Sequence, residues 1–375
     1  ELMINDQYRG VYLLMEKIKE DENRVDIATL QPDDLEGDEL TGGYIFQVDR
    51  DNMDTEENGW YATFAPYAFY SFHDPGYDQL APQQKEYIQN WVFEFEVAMF
   101  ISNYESTYQN YIDVESFIDY FIISEITKHI DAYKLSFYMY KQKDSNGGKL
   151  LFGPIWDFNL GYSNFDFGCD PSPQGWIHEC NFFVFWVNKI IGIEAVQDQM
   201  YCRWQQLRQD ELDTDFLLNR IDSLVQYIGP AADRNFQQFD ILGTYVWPNL
   251  FIGETYEEEI DFLRGWLVQR LFWMDANMLG NPDADCSEIL SETSRESEST
   301  IRAYPNPFED RVTLSLPDLF IELGEVQVYD ALGKMVFEIN NYNGGSINLD
   351  QLQAGVYLLQ FTSSDINQTV KLIKE

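Results

Sequence analysis

Basic side chains are scarce in this 375-residue chain. There are 24 Lys and Arg against 64 Asp and Glu, a formal net charge of −40 and a pI near 4.1. A surface of this charge repels phosphate backbones and anionic lipids. We therefore expect no nucleic-acid partner and no docking on anionic membranes, with most carboxylates solvated at the surface.

Several other features are also missing. No run reaches the roughly 18 apolar residues of a transmembrane helix, so we predict no membrane span. The chain has three His and none of the glycine-rich phosphate loops, nucleophile elbows or His-Glu-x-x-His zinc motifs. Triad hydrolases and zinc peptidases therefore have little support. With 45% hydrophobic and 16% aromatic residues, the chain can build a large core and at least two domains.

Only four cysteines occur, an even number that fits disulfides in an exported protein. Cys169 and Cys180 bracket a loop with Pro, Ser and Gly, which makes them the natural local pair. Cys202 and Cys286 would then join the start and end of a helical region. The alternative is a zinc site at Cys169, His178 and Cys180, which lacks a fourth ligand and the short Cys-x-x-Cys spacing.

Hydrophobic periodicity divides the chain into regions. Strand-like segments dominate up to about residue 73, beginning with two strands around an Asn5-Asp6 turn. Spacing of period 3.6 then predicts six helices. They cover residues 81–102, 113–126, 182–190, 194–209, 214–227 and 256–277.

The C-terminal part changes character. Residues 283–300 are acidic, rich in serine and nearly free of aromatics, which predicts a linker. Residues 301–375 turn to short alternating strands separated by Pro, Gly, Asn and Asp, which favours a small all-β sandwich. The first domain is predicted to span residues 1–282.

The strongest functional signal is a pair of aspartates. Asp157 follows an apolar strand-like run in KLLFGPIWDFNLGYS, where a carboxylate is well placed to hold a metal ion. Asp131 lies 26 residues upstream, between a helix-like segment and the strand-like run Leu135–Lys141. Kinase-like folds use the order helix, Asp, strand, turn, strand, Asp to place a catalytic and a magnesium-binding aspartate around one phosphate. The pattern predicts phosphoryl transfer.

Four sequence blocks carry a family resemblance: YRGVYLLMEKI, GGYIFQVDRD, HIDAYKLSFYMYKQK and GPIWDFNLGYS. Together they resemble the spore coat protein H (CotH) kinases, atypical secreted or surface protein kinases. CRWQQLR, RNFQQFDILGTYVWPN and WMDAN are similar to the helical tail of Bacteroidetes members. The resemblance implies an α+β fold with an atypical protein-kinase-like core, and transfer of phosphate from ATP with Mg²⁺ to a protein hydroxyl.

The resemblance also implies roles for individual residues. Asp131 takes the proton of the acceptor hydroxyl or orients it, and Asp157 binds the magnesium ion that bridges the phosphates. Ser136 stands where many kinase-like loops have a metal-binding Asn. The second metal ligand is therefore open, and Asn159 is a possible substitute.

Nucleotide contacts are expected from two further places. Val11–Met15 is similar to the strand that leads into a kinase hinge, which would put Glu16 and Ile18 near the base. Lys134 lies three residues after Asp131 and could contact phosphate or substrate, although a surface position is the common one for lysine.

Asp49 and Arg50, in the GGYIFQVDRD block, either form a structural ion pair or line the cleft.

Family members carry further strands before YRGVYLLMEKI, including a glycine-bearing loop and a basic strand, and these are absent here. We therefore interpret the sequence as an N-terminally truncated piece, inactive as this chain alone.

The last 75 residues have a resemblance of their own. AYPNPFEDRVTLSL, VYDALGKMV, LQAGVYLLQF and the basic end Lys371–Lys374 are similar to the type IX secretion system type A sorting domain of Bacteroidetes. This implies an immunoglobulin-like sandwich that engages the type IX secretion machinery. It also implies export across the outer membrane, with the protein secreted or held at the cell surface.

Two other functions compete with a kinase. A degenerate kinase-like fold could serve as a non-catalytic surface module that binds a protein or glycan, since ATP is scarce outside cells. Paired carboxylates could hydrolyse glycosides, but any acidic chain supplies such pairs by chance. Binding of magnesium-nucleotide discriminates the kinase from the binding module.

Overall fold

A computed structural model describes most of the chain. The described residues are 1–50, 58–65, 67–180, 184–287, 289, 302–304, 308, 310–315, 324–330, 334–342, 346–363 and 367–374. They divide into two compact units, Glu1–Leu290 and Ser291–Glu375. The predicted linker falls partly outside the described residues, since 290–301 are not among them.

The first unit opens with the predicted hairpin. Strands β1 (Leu2–Ile4) and β2 (Gln7–Gly10) pair antiparallel around Asn5 and Asp6. Both turn residues are left-handed, with φ of 51° and 60°. Asn and Asp tolerate this backbone better than most residues, which is why the sequence could predict the turn.

A five-stranded antiparallel sheet forms the centre of this unit. Its order is β4-β5-β3-β6-β7, with strands β3 (Tyr44–Asp49), β4 (Gly59–Tyr61), β5 (Phe69–Asp74), β6 (Phe137–Lys141) and β7 (Leu150–Phe152). Because side chains alternate along a strand, the sheet has two buried faces. Phe46 and Phe137 enter the large helix-covered core, whereas Ile45 and Tyr138 pack with Ile18 in a smaller cluster on the other face.

Eight helices accompany this sheet in the described part of the first unit. They are α1 (Gly37–Leu40), α2 (Pro82–Phe100), α3 (Val114–Thr127), α4 (Phe185–Ile191), α5 (Glu194–Leu207), α6 (Thr214–Ile228), α7 (Ala231–Gln238) and α8 (Tyr256–Asn277). The six predicted helices are confirmed with small shifts of their ends; residues 182 and 183 of one prediction lie outside the described residues. Helices α1 and α7 were not predicted.

Helix α3 leads into the candidate site, and its two ends have clear causes. Asp113 caps the start, where its Oδ1 accepts the backbone N–H of Ser116 at 2.9 Å. The helix ends at Thr127, and Lys128 turns left-handed with φ of 48°. Between them, Phe117 and Phe121 are fully buried in the large core. The helix is therefore anchored along its length, and its C-terminal end has a fixed place.

Both predicted disulfides are present. Cys169 bonds to Cys180 and Cys202 bonds to Cys286. The zinc alternative is wrong, because both of its cysteines are used in a disulfide and His178 contacts Glu125 instead, with Nδ1 and Oε1 2.8 Å apart.

The predicted strand Val11–Met15 is wrong. These residues have no regular secondary structure, and in the described part of the chain no strand pairs with them. Leu13 and Leu14 are 81% and 98% exposed. An apolar run resembles a strand in sequence, but a strand forms only where a neighbour supplies the backbone partners.

The second unit is all β in its described residues. One sheet has the order β11-β10-β13-β14, with β10 (Gly324–Asp330), β11 (Met335–Tyr342), β13 (Gly355–Thr362) and β14 (Asn367–Lys374). The other has the order β12-β9-β8, with β8 (Arg302–Tyr304), β9 (Arg311–Ser315) and β12 (Ser346–Asn348). Alternate residues such as Val312, Val328 and Leu359 from both sheets share one apolar core.

Candidate active site

Asp131 lies shortly after helix α3, which ends at Thr127. The chain makes a tight turn here, in which the Asp131 carbonyl accepts the N–H of Leu135 at 3.0 Å. The Asp131 side chain is 20% exposed, and its Oδ1 lies 3.6 Å from Lys134 Nζ. Burial lowers the pKa of Lys134, and the Asp131 charge opposes that fall. The two predicted residues are thus an ion pair with access to solvent.

Asp157 stands after strand β7 in a left-handed conformation, with φ of 62°. The Asn159 amide, oriented to satisfy both groups, donates from its nitrogen to Asp157 Oδ1 at 2.9 Å and to the Asp157 carbonyl at 3.1 Å. The following Tyr162 N–H donates to the carbonyl of Thr127 at 2.6 Å. The loop that carries Asp157 is therefore fastened to the end of α3, from which Asp131 also projects.

His129 connects the two aspartate segments. Its ring stacks on Phe158 with 4.5 Å between centroids and 19° between planes. The side chain is 1% exposed, and neither ring nitrogen has a hydrogen-bond partner among the described residues. Burial lowers the pKa of His129 to about 4, with the Asp157 charge opposing this fall and the Lys134 charge adding to it. His129 is thus a neutral imidazole beside Asp157.

Asp49 and Arg50 extend the site from the end of strand β3. Burial raises the pKa of Asp49, the charge of Asp157 adds to that rise, and the backbone N–H groups of Arg50 and Ser136 oppose it. The Arg50 N–H donates to Asp49 Oδ1 at 2.7 Å. The charge of Arg50 in turn lowers the pKa of Lys134. The charge of Arg50 also lowers the pKa of Asp49, so the two residues interact with each other as well as with Asp157 and Lys134.

Left-handed backbone is concentrated in the site loops. Between residues 128 and 163, six residues other than glycine have positive φ: Lys128 (48°), Tyr133 (66°), Ser136 (49°), Asp157 (62°), Tyr162 (55°) and Ser163 (69°). Each costs on the order of 1–3 kcal/mol and persists only where the surroundings hold it. Such residues cluster at functional sites, and here they mark the two loops that carry the aspartates.

A buried ionic network supports the end of α3 from below. The Glu125 carboxylate, which is fully buried, accepts from the N–H of His178 at 3.0 Å, and Arg270 Nη2 lies 3.4 Å from it. Arg270 Nε donates to the Glu125 carbonyl at 2.8 Å. Lys128 Nζ donates to the Ser172 carbonyl at 2.8 Å, and burial lowers the pKa of Lys128 to about 8. The network ties α8 and the Cys169–Cys180 loop to the residues just before Asp131.

Glu16 and Ile18 differ in burial, and Ile18 packs in the smaller cluster with Ile45 and Tyr138. Glu16 Oε1 is 3.1 Å from Lys19 Nζ, an exposed pair. Ile18 is buried, and its carbonyl lies 2.9 Å from Nε2 of His73. The His73 ring packs edge-on against Tyr138 at 4.9 Å. Burial raises the pKa of Tyr138 to about 12, with Asp49 and Asp157 adding to the rise. Ile18 is therefore connected to the Asp157 region through the packed rings, and a role in nucleotide binding stays a prediction for both residues.

The oxygen donors around Asp157 fit a magnesium ion that also has phosphate ligands. In the part of the chain that the structure describes, no group of three or more His, Cys, Asp and Glu side chains is placed to hold a metal. Magnesium usually takes only one or two carboxylates, with substrate phosphates and waters completing its shell. The charge of Asp157 raises the pKa of Asp49, so the two carboxylates repel each other, and a cation would relieve that repulsion. Ser136 approaches Asp49 through its backbone, and the Asn159 nitrogen faces Asp157, so their ligand roles stay predictions.

Comparison with known families places the chain. The family model described as CotH kinase protein matches residues 1–274, which include every candidate site residue. The chain belongs to the CotH kinase family. A second model, the secretion system C-terminal sorting domain, matches residues 302–375. This CotH protein therefore carries a sorting domain for type IX secretion, and it is exported to the cell surface or secreted.

Two curated relatives share a short stretch with this CotH protein. An endo-acting ulvan lyase of Formosa agariphila is 40% identical over 73 residues, which cover 19% of this chain and 14% of the lyase. Ulvan lyase NLR42 of Nonlabens ulvanivorans is 35% identical over 82 residues, covering 21% and 15%. The chain thus spans about a seventh of the length of these relatives, too little to carry their activity over.

No helix in the described part of the chain has the length and apolar character needed to cross a membrane.

Proposed function

We propose that this CotH protein transfers the γ-phosphoryl group of magnesium-bound ATP to a hydroxyl group of a protein. The observation that carries the proposal is the stacking of His129, two residues before Asp131, on Phe158, the residue after Asp157. The order of elements around them is α3, Asp131, β6, β7, Asp157, the same order that kinase-like folds use. Family membership over residues 1–274 supports the same reaction.

Asp131 is the general base in this proposal. Its carboxylate receives the proton of the acceptor hydroxyl while the hydroxyl oxygen bonds to the γ-phosphorus and the bond from that phosphorus to ADP breaks. Lys134 Nζ, 3.6 Å from Asp131 Oδ1, orients the carboxylate. Its proximity to Arg50 places two cations where a phosphate could be held, in a chain with few basic residues.

Asp157 and Asp49 would hold the magnesium ion. The ion would neutralise charge on the phosphates and bring them into line with the acceptor. Asn159 fixes the Asp157 carboxylate through its two donated hydrogen bonds. His129, neutral and packed on Phe158, keeps the loop after β7 in register with the end of α3.

The Asp157→Asn variant tests the proposal. It should be made in the protein as it is naturally produced. We expect magnesium-dependent ATP binding, measured by calorimetry, to weaken about a hundredfold or more, because the charge is lost at nearly constant volume. Asp215→Asn is the matched control, since Asp215 is exposed in the first turn of α6. Equal binding by wild type and both variants would refute the assignment.

The alternative function is a non-catalytic surface module that binds a protein or glycan. A surface binding module would bind its partner with the same affinity with and without MgATP. It would also show no transfer of labelled phosphate to any surface protein.

A further inference from the structure

A cavity of about 490 Å³ opens beside the loop that carries Asp157. Residues from Phe158 to Asn164 form one wall, and residues between Phe236 and Leu263 form the other. Its volume is within the range of sites that enclose a ligand or a large side chain, roughly 300–1,000 Å³. Neither the two aspartates nor the cations of the proposed active site line it.

The lining is mainly apolar, with six aromatic residues among nineteen. Phe158, Tyr162, Phe236, Phe251 and Phe262 contribute rings, and those of Phe251 and Phe262 stack at 4.2 Å. At one end the lining includes Asn159, the residue whose amide donates to Asp157. An apolar group in this cavity would therefore sit next to the residue that orients the Asp157 carboxylate.

Apolar side chains continue from the cavity to its mouth. Ile241, Val246 and Ile252 line it and are 42%, 39% and 40% exposed. The segment they belong to is fastened to the chain just beyond the opposite wall, because Trp247 stacks on Phe167 at 5.7 Å. A contiguous exposed apolar surface of this kind marks a binding site more often than bare surface.

The cavity is elongated by a second one, of about 410 Å³, which shares Ser163 and Phe262 with it and reaches Pro171. We call these two adjoining cavities the groove. The charged side chains that line the two cavities are all acidic: Glu259, Asp170 and Asp261. No Lys or Arg is among the lining residues, so an anionic occupant is disfavoured and a neutral or cationic chain is favoured.

We propose that this groove binds the acceptor polypeptide and that the aromatic cavity holds one large apolar side chain of it. The inference rests on the proposed function and adds its substrate class: a segment with an aromatic or branched aliphatic anchor near the acceptor hydroxyl, flanked by basic residues. The anchor supplies the binding energy, because a buried aromatic side chain removes a large apolar area from water. The flanking basic residues face the carboxylates of the groove.

Binding without nucleotide tests this inference. The probes are fluorescein-labelled dodecapeptides of Gly, Ser and Lys with one Trp, the same peptides with Ala for Trp, and a third set with Glu for Lys. By fluorescence polarisation against the whole chain, we expect the Trp peptides to bind at least about tenfold more tightly than the Ala peptides. The Glu set should bind more weakly than the Lys set.

Two cavity-filling variants locate the site. Ile252→Trp and Ile241→Trp place a larger side chain in the cavity from half-exposed positions, and each should remove the Trp preference. Val268→Trp is the matched control: Val268 is 39% exposed on α8 and does not line the cavity. It should keep the preference intact.

Three results would overturn the inference. The first is equal affinity for the Trp and Ala peptides, and the second is an unchanged preference in both filling variants. The third is that free N-acetyltryptophanamide displaces the labelled Trp peptide at the same concentration as the unlabelled Trp peptide does. That result would make the cavity a site for a small aromatic molecule. No nucleotide is present in these binding measurements, so their results do not depend on phosphoryl transfer. A protein that transfers phosphate but has no Trp preference would refute this inference and leave the proposed function standing.

Discussion

Glu96 is the residue at which burial and ionisation conflict most directly. It lies on α2, is 1% exposed, and accepts from the N–H of Thr63 at 2.7 Å and the hydroxyl of Tyr70 at 3.0 Å. Burial raises its pKa, and those two hydrogen bonds oppose the rise without cancelling it. The folded protein therefore retains the Glu96 proton at a pH where the unfolded chain has lost it.

The first stability prediction follows from that direction. Since the folded pKa lies above the unfolded one, the contribution of Glu96 is present at low pH and is lost as pH rises through the folded pKa. Glu96→Gln should remain neutral and so should gain stability relative to wild type as pH rises above the ordinary Glu value of 4.5. Urea unfolding at several pH values measures this. Glu94→Gln, exposed on the same helix, should follow the wild-type curve.

Arg270 provides a second prediction at the residue scale. It is fully buried, as is its partner Glu125. Arg270→Met would leave the Glu125 carboxylate buried without its cation, at a cost of about 3–5 kcal/mol in the free energy of unfolding. Arg264 lies on the surface of the same helix and pairs with Asp261 and with Asp222 of α6. Arg264→Met should therefore lower the free energy of unfolding by at most about 1 kcal/mol. Similar losses in both variants would contradict a structural role for the buried network.

At the scale of elements, the long helices were predictable and the short ones were not. Helix α8 matches its predicted bounds at Tyr256 and Asn277 because its apolar spacing runs through 22 residues. Helix α7, with only eight residues after Pro230, offers too few turns for a period to be recognised. The strand predicted at Val11–Met15 is wrong for the opposite reason. The apolar pattern is present, but in the described part of the chain no neighbouring strand pairs with it.

The disulfides allow a prediction about elements. Non-reducing mass spectrometry should show Cys169 linked to Cys180 and Cys202 linked to Cys286. Replacing both cysteines of a pair with Ala should destabilise the first unit by about 2–4 kcal/mol. The loss should be larger for the second pair, whose separation is 84 residues against 11, because a longer closed loop restricts the unfolded chain more. The reverse order would show that local packing outweighs chain entropy.

At the scale of the whole molecule, the division into two units has a spectroscopic consequence. All nine tryptophans lie between Trp60 and Trp273, so tryptophan fluorescence reports on the first unit alone. Limited proteolysis should cut first between about residues 283 and 300, where the acidic, serine-rich sequence has little to bury.

Removing residues 291–375 is the prediction at this scale. The remaining unit should keep its tryptophan-monitored unfolding midpoint within about 2 °C of the whole chain, since each unit has a core of its own. In the bacterium the shortened protein should no longer reach the cell surface, because the sorting domain is gone. Unfolding of the first unit after removal of the second would contradict this prediction. Continued display of the shortened protein at the cell surface would contradict it as well.

The sequence alone determined what depends on local pattern and on composition. Periodicity specified the long helices and the strands of the C-terminal unit, Asn5 and Asp6 specified a turn, and the spacing of four cysteines specified their pairing. It also marked Asp131 and Asp157, because each follows a regular element. These features are encoded within short stretches, so no knowledge of distant contacts was needed.

Only the tertiary structure decided what surrounds those aspartates. The stacking of His129 on Phe158, the proximity of Asp49 to Asp157 and the pairing of Glu125 with Arg270 join residues far apart in the chain. The sequence offered one unused signal for them, the His two residues before Asp131. The aromatic cavity was equally hidden, since an aromatic stripe in sequence has the same pattern whether its rings fill a core or line an opening. Which of the two occurs depends on how α8 and the preceding segment pack, and packing is a property of the whole fold.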